Sequence, residues 1–228
     1  MSLWSTARAV LGKEWRLEWR TRQVLPGVFL FALMTVLLCA FALDLHHIAP
    51  PVAAAGTLWL AVTFSGMLAI SRSWHSERES GAWPHVVRAA RSSAGLFLGK
   101  ALATAGFMLL AQVLLLPLLA LFFPVNPWSH LPLLLPLLAV STLAFAASGT
   151  LFGALTLRGG AVELLFAAAW LPLAAPVLVL AAKATALIFA GTPPDAPLAL
   201  LRLNAALAIL NTALGAALFG FVSSPHAD

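Results

Sequence analysis

The chain has 228 residues, of which 61% are hydrophobic and 9% charged, and its mean hydropathy is +0.96. Soluble domains carry roughly a quarter charged residues, and disordered chains lack apolar residues, so both classes are excluded and a polytopic membrane protein remains. The net charge of +5 comes from basic residues spread over several polar segments, without the stripe or patch that marks nucleic-acid binding.

The first 23 residues read as a helix lying at a membrane interface. Trp4, Leu11, Trp15 and Trp19 fall on one arc at helical spacing, with Lys13, Arg16 and Arg20 roughly opposite. Glu18 stands four residues before Arg22, which suits a pair along the helix. Six apolar stretches follow, each near the roughly 20 residues that a membrane-spanning helix needs. They are Leu25–Leu43, Val52–Ile70, Ala101–Phe123, Leu131–Leu157, Leu164–Ala182 and Leu198–Val222, the last interrupted by Arg202. Their continuous apolar character, rich in Leu and Ala, excludes the alternation of barrel strands.

The first stretch is read as an uncleaved anchor. Ala40-Phe41-Ala42 has the form of a cleavage site, but the polar segment before the stretch exceeds 20 residues and five more spans follow. Eleven of the thirteen basic residues fall on one side of this topology: in residues 1–23, in the segment 71–100, and at Arg158. The positive-inside rule makes that side, with both termini, cytoplasmic. The opposite loops, 44–51, 124–130 and about 183–197, are short, and 1–228 is expected to form one transmembrane domain.

Catalytic and cofactor motifs are weak. Gly95-Leu-Phe-Leu-Gly99-Lys100-Ala101 is one residue short of a phosphate loop and has Ala101 where the magnesium-binding Ser or Thr belongs. Ser148 follows Ala146-Ala147 and no later span offers a histidine base, so it is not an activated nucleophile. Gly149 and Gly153 form instead a small-xxx-small face for helix packing. The lone Cys39 excludes a disulfide framework and a cysteine-rich metal site. His46 and His47 are the candidates for a haem contact, but adjacent histidines point in different directions, and a solvated pair is expected. Glu163, Lys183 and Arg202 sit near span ends, and no acidic pair or arginine ladder crosses the midplane. Pro117, Pro132, Pro136, Pro172 and Pro176 each remove a helix donor and can kink a span.

The segment between the second and third stretches carries most of the polar chemistry. Arg72, Trp74, Glu77, Arg78, Glu79, Gly81 and Trp83 combine both charge signs, two aromatics and a glycine hinge. That is the make-up of a short helix docking on a cytosolic partner, where charges fix register and aromatics supply burial. A plain solvated connection fits the composition equally well.

A resemblance favours the first reading. Arg72, Glu77-Arg78-Glu79 and Gly81, followed by Leu98-Gly99-Lys100, resemble the coupling segment of ABC-2-type permeases. Gly56-Thr57-Leu58-Trp59, Leu116-Pro117-Leu118, Gly149-Thr150-Leu151-Phe152-Gly153-Ala154, Glu163-Leu164-Leu165 and Leu171-Pro172 to Pro176-Val177 follow in an order similar to the CcmB family, the haem-exporter permeases of cytochrome c maturation. The resemblance covers nearly the whole chain. It implies an all-α membrane permease of six spans, with the interfacial helix and a short coupling helix around Glu77–Trp83 that passes motion to spans 1, 2 and 5. Pro84 must then sit in the first turn of a docking helix.

The resemblance further implies a non-catalytic subunit of the bacterial inner membrane with no cofactor of its own. ATP acts through a CcmA-like ATPase, and haem is cargo. The implied partners are a second copy of the chain, CcmC-like and CcmD-like membrane proteins, and a CcmE-like haem chaperone in the periplasm, with lipid around the spans. Without a convincing internal haem ligand, mechanical transmission that frees the loaded chaperone is favoured over conduction of haem. Alternatives are a general ABC-2 exporter of lipid, drug or glycan, a passive scaffold with no ATPase, and, more distantly, an intramembrane protease.

Overall fold

The computed structural model describes residues 3–22, 24–43, 47–79, 81, 83–90, 92–155 and 161–223, with the backbone alone at 76, 89, 161–169, 222 and 223. Among the described residues all regular structure is helical, with a 3-10 turn at Pro127–His130 and helices α1 (Leu3–Thr21), α2 (Leu25–Ala42), α3 (Pro50–Glu79), α4 (Trp83–Ala89), α5 (Ser93–Phe122), α6 (Leu131–Leu155), α7 (Ala161–Phe189) and α8 (Asp195–Ser223). Six of them, α2, α3, α5, α6, α7 and α8, are long and apolar enough to cross a membrane.

The spans are longer than the apolar stretches suggest. α3 continues nine residues past Ile70 to Glu79, and α5 begins at Ser93, so most of the segment 71–100 is helix continuous with the spans. Polar residues support a helix as well as apolar ones do once it emerges from lipid. α7 likewise runs through Lys183 to Phe189 rather than ending at Ala182. A lysine two turns from a helix end can carry its ammonium to the interface along its own alkyl chain. Local signals set the ends: Ser92 Oγ accepts from the Gly95 amide at 3.1 Å and caps α5, and Pro84 occupies the first turn of α4, where its missing N–H has no cost.

α6 is the centre of the bundle, packed against α3, α5, α7 and α8. Its polar residues hydrogen-bond outward to three of these neighbours. Thr142 Oγ1 accepts from Gln112 of α5 at 2.7 Å, Ser141 Oγ from Asn204 of α8 at 3.0 Å, and Ser148 Oγ from Trp170 of α7 at 3.0 Å. Lipid supplies no hydrophobic drive between apolar helices, so such bonds and close packing hold them together. Gly149 and Gly153 let Ile70, Trp74 and Trp170 approach: a Cβ would lie 2.8 Å from the Trp170 ring at the first and 2.9 Å from Ile70 at the second. Ser148 is therefore a packing hydroxyl, donating to the Phe145 carbonyl at 2.9 Å while it holds the tryptophan.

Candidate coupling site

α1 does not simply float at the interface. Thr6, Ala7, Val10, Glu14 and Glu18 form a buried face beside the tryptophan arc, and that face packs on α5. Trp4 and Trp19 stay exposed, while Trp15 meets Phe107 at 5.0 Å between ring centroids. The close approach depends on Gly95 and Gly99 of α5. A Cβ at either position would fall 2.7 Å from a backbone carbonyl oxygen of α1, Leu3 or Ala7 respectively. The glycines that resemble a broken phosphate loop are thus a helix-crossing face.

Two carboxylates on the α1 face have separate tasks. Glu18 accepts from the Val24 amide at 3.0 Å and the Leu25 amide at 2.7 Å, satisfying two donors at the start of α2 that have no partner within the helix. It does so instead of pairing with Arg22, whose φ of 50° turns the chain between the helices. Glu14 enters a cluster of four charges. The Lys100 ammonium of α5, 2% exposed, lies 3.1 Å from Glu14 Oε1, 3.4 Å from Glu77 Oε1 of α3 and 3.1 Å from Ser73 Oγ. Lys13 donates to Glu77 and stands 3.6 Å from Glu14.

Charges so buried are stable only when paired and hydrogen-bonded, and here two acids meet two bases from three helices. Burial, the largest influence on Lys13, pushes its pKa down. The hydrogen bond to Glu77 and the negative charges of Glu14 and Glu77 outweigh it and hold the ammonium above the ordinary lysine value.

An aromatic cluster adjoins these charges. The Lys100 ammonium sits 4.5 Å over the Trp74 ring. Trp74 meets Trp83 of α4 at 5.2 Å and Phe219 of α8 at 6.1 Å, and Phe219 meets Phe97 of α5 at 5.5 Å. Between α3 and α4 the chain turns at Gly81, whose φ of +59° is a conformation L side chains rarely adopt. The charge cluster and the rings together bind α1, α3, α4, α5 and α8 into one block at one end of the bundle.

The seven residues expected to contact a partner therefore divide. Trp74, Glu77 and Trp83 are buried inside the block, which corrects their placement on a partner-facing surface: a carboxylate beside two lysines and two indoles packed edge to face are drawn inward. Arg72, Glu79 and Gly81 are exposed, and Arg78 is half-buried. On the outer side of α3, His75 bridges Glu79 at 3.1 Å and Arg78 at 3.2 Å. His85 and Arg88 extend the exposed face along α4. Among the described residues, Glu77 and Glu79 belong to the end of α3, and Trp83 begins the short helix α4.

Sequence reasoning missed Lys13, Glu14, Glu18 and Phe219 as members of this site, and met Lys100 only through the resemblance to the coupling segment. Glu14 and Glu18 do share the helix face of Ala7 and Val10, and a lysine bordering an apolar run needs a buried counter-ion; those were the available signals. His47 is exposed in the turn before α3, at the opposite end of the bundle, while His46, Arg91 and Arg158 lie outside the described residues. Among the described residues no three His, Cys, Asp or Glu side chains are grouped as a metal site would require.

Curated proteins give no match to the chain. The family model for the CcmB protein matches residues 5–220, from within α1 to the last turn of α8, so the chain belongs to the CcmB family, the membrane component of the haem-export system of cytochrome c maturation.

Proposed function

We propose that this chain is the permease subunit of an ABC transporter in c-type cytochrome biogenesis, driven by ATP hydrolysis in a separate CcmA-like subunit. The observation that carries the proposal is the cross-tied block, which places an exposed, mixed-charge face over a buried linkage to several spans. Basic residues cluster at this end, as expected for the cytoplasmic side, with both termini cytoplasmic. The ATPase docks on Arg72, His75, Glu79, Gly81 and Arg88. Its closure displaces α4 and the end of α3 as a rigid body.

Trp83 and Trp74 pass that displacement to Phe219 on α8, and Glu77 passes it to Lys100 on α5 and to α1. The motion so reaches spans 2, 3 and 6 through the block, and spans 1 and 5 through the packing of α3 on α2 and α7. In a dimer with two ATPase subunits, the movement serves haem export or release of the loaded periplasmic chaperone, with CcmC-like and CcmD-like proteins handling the haem.

Co-purification tests the reading. Reversing the exposed charges together (Arg72→Glu, Glu79→Lys, Arg88→Glu) leaves the buried cluster untouched. The expected result is normal membrane insertion with loss of the CcmA-like ATPase from the detergent-solubilised complex. Retention of the ATPase at the wild-type level overturns the docking surface.

A further inference from the structure

At the end of the bundle opposite the charge cluster, α3, α7 and α8 enclose an apolar groove of about 480 Å³. That volume is within the range of small-molecule sites, roughly 300–1,000 Å³. Ala49, Val52 and Gly56 form one wall, Ala186 and Leu187 another, and Lys183 stands among the lining residues as their one charge. Gly56 is exposed to the groove, with no atom within 4 Å of where a Cβ would stand, so the space beside α3 is open.

Lys183 is six residues before the end of α7, about 9 Å along the helix axis. Its side chain is exposed and, among the described residues, makes no ion pair or hydrogen bond. A cation at that depth in a membrane needs a counter-charge or a route to the headgroups. The adjoining groove accepts hydrocarbon and offers almost nothing polar. A molecule matching both features has an acyl chain and an anionic head at the membrane surface.

We infer that the groove between α3, α7 and α8 is a binding site for an anionic phospholipid, with its acyl chain along Gly56 and Ala186 and its phosphate on the Lys183 ammonium. Arg202, also exposed and on the same side, is not part of the lining and serves as a control. The site does not depend on the docking face proposed above, and its test uses no ATPase.

The protein is reconstituted in nanodiscs of equal phosphatidylglycerol and phosphatidylcholine, and retained lipid is read by native mass spectrometry after release. The wild type is expected to retain phosphatidylglycerol in preference. Lys183→Gln should reduce that preference about fivefold, the worth of one lysine near a lipid headgroup, while Lys183→Arg and Arg202→Gln keep it. Gly56→Phe, whose Cβ would stand in open space, puts a ring into the groove and should remove both lipids. Equal retention of the two lipids by the wild type, or an unchanged preference in Lys183→Gln, overturns the site. So does displacement of phosphatidylglycerol by a stoichiometric dicarboxylate porphyrin, which would make the groove a porphyrin site.

Discussion

Lys100 and Glu14 meet at 3.1 Å although 86 positions separate them in the chain, and the lysine keeps only 2% of its surface exposed. The contact fastens the N-terminal helix to the third span. Glu77 ties the second span to the same ammonium at 3.4 Å.

Removing that ammonium should be severe. Lys100→Met takes from Glu14 and Glu77 the most deeply buried ammonium they share, and an uncompensated buried charge costs about 3–5 kcal/mol. Thermal unfolding in detergent should show the loss, and adding Glu14→Gln should recover part of it, because neighbouring sites are not additive. Equal losses in the single and double variants would separate the two residues energetically.

The two glycine environments on α1 and α5 predict opposite signs. Gly99→Val drives a side chain into the Ala7 carbonyl and should cost about 1–3 kcal/mol while freeing α1 for proteolysis. Gly12, on α1 itself, has open space around it, so Gly12→Ala should stabilise by about 0.5–1 kcal/mol. Limited proteolysis before residue 25 and the unfolding midpoint report both effects.

Glu18 acts on the second helix rather than its own. Glu18→Ala deprives the Val24 and Leu25 amides of their acceptor and should cost about 1–2 kcal/mol. Hydrogen exchange should quicken at those two amides and remain unchanged along α6. Protection that survives the substitution would show that another group caps α2.

Alkaline pH should loosen α1 in a defined direction. The pKa of Lys13 is raised in the folded chain, so its contribution is complete below the ordinary lysine value and is lost as pH rises through the raised one. Docking of α1 is therefore flat through the neutral range and weakens only in strong alkali. Hydrogen exchange of α1 against pH should show this step, and Lys13→Gln should shrink it.

The spans were legible because lipid imposes one requirement, a long apolar run, and six such runs are visible without knowing any partner. Their ends were not, since nothing apolar marks the passage of α3 through Arg72 to Glu79. The tryptophans of α1 stood out by type, but the face that packs is the quieter one beside them, where Ala7 and Val10 are followed by two glutamates. Glu77 looked like a surface charge because its neighbours Arg78 and Glu79 are surface charges. What turns it inward is Lys13, 64 positions away, and Lys100, and such pairing is a property of the folded chain rather than of local spacing.

Two carboxylates and two ammoniums in the buried cluster cancel one another. Displacing these four groups together along the membrane normal moves no net charge, so the transmembrane voltage performs no work on them. Their share of any movement of α1, α3 and α5 is the same in an energised or a depolarised cell.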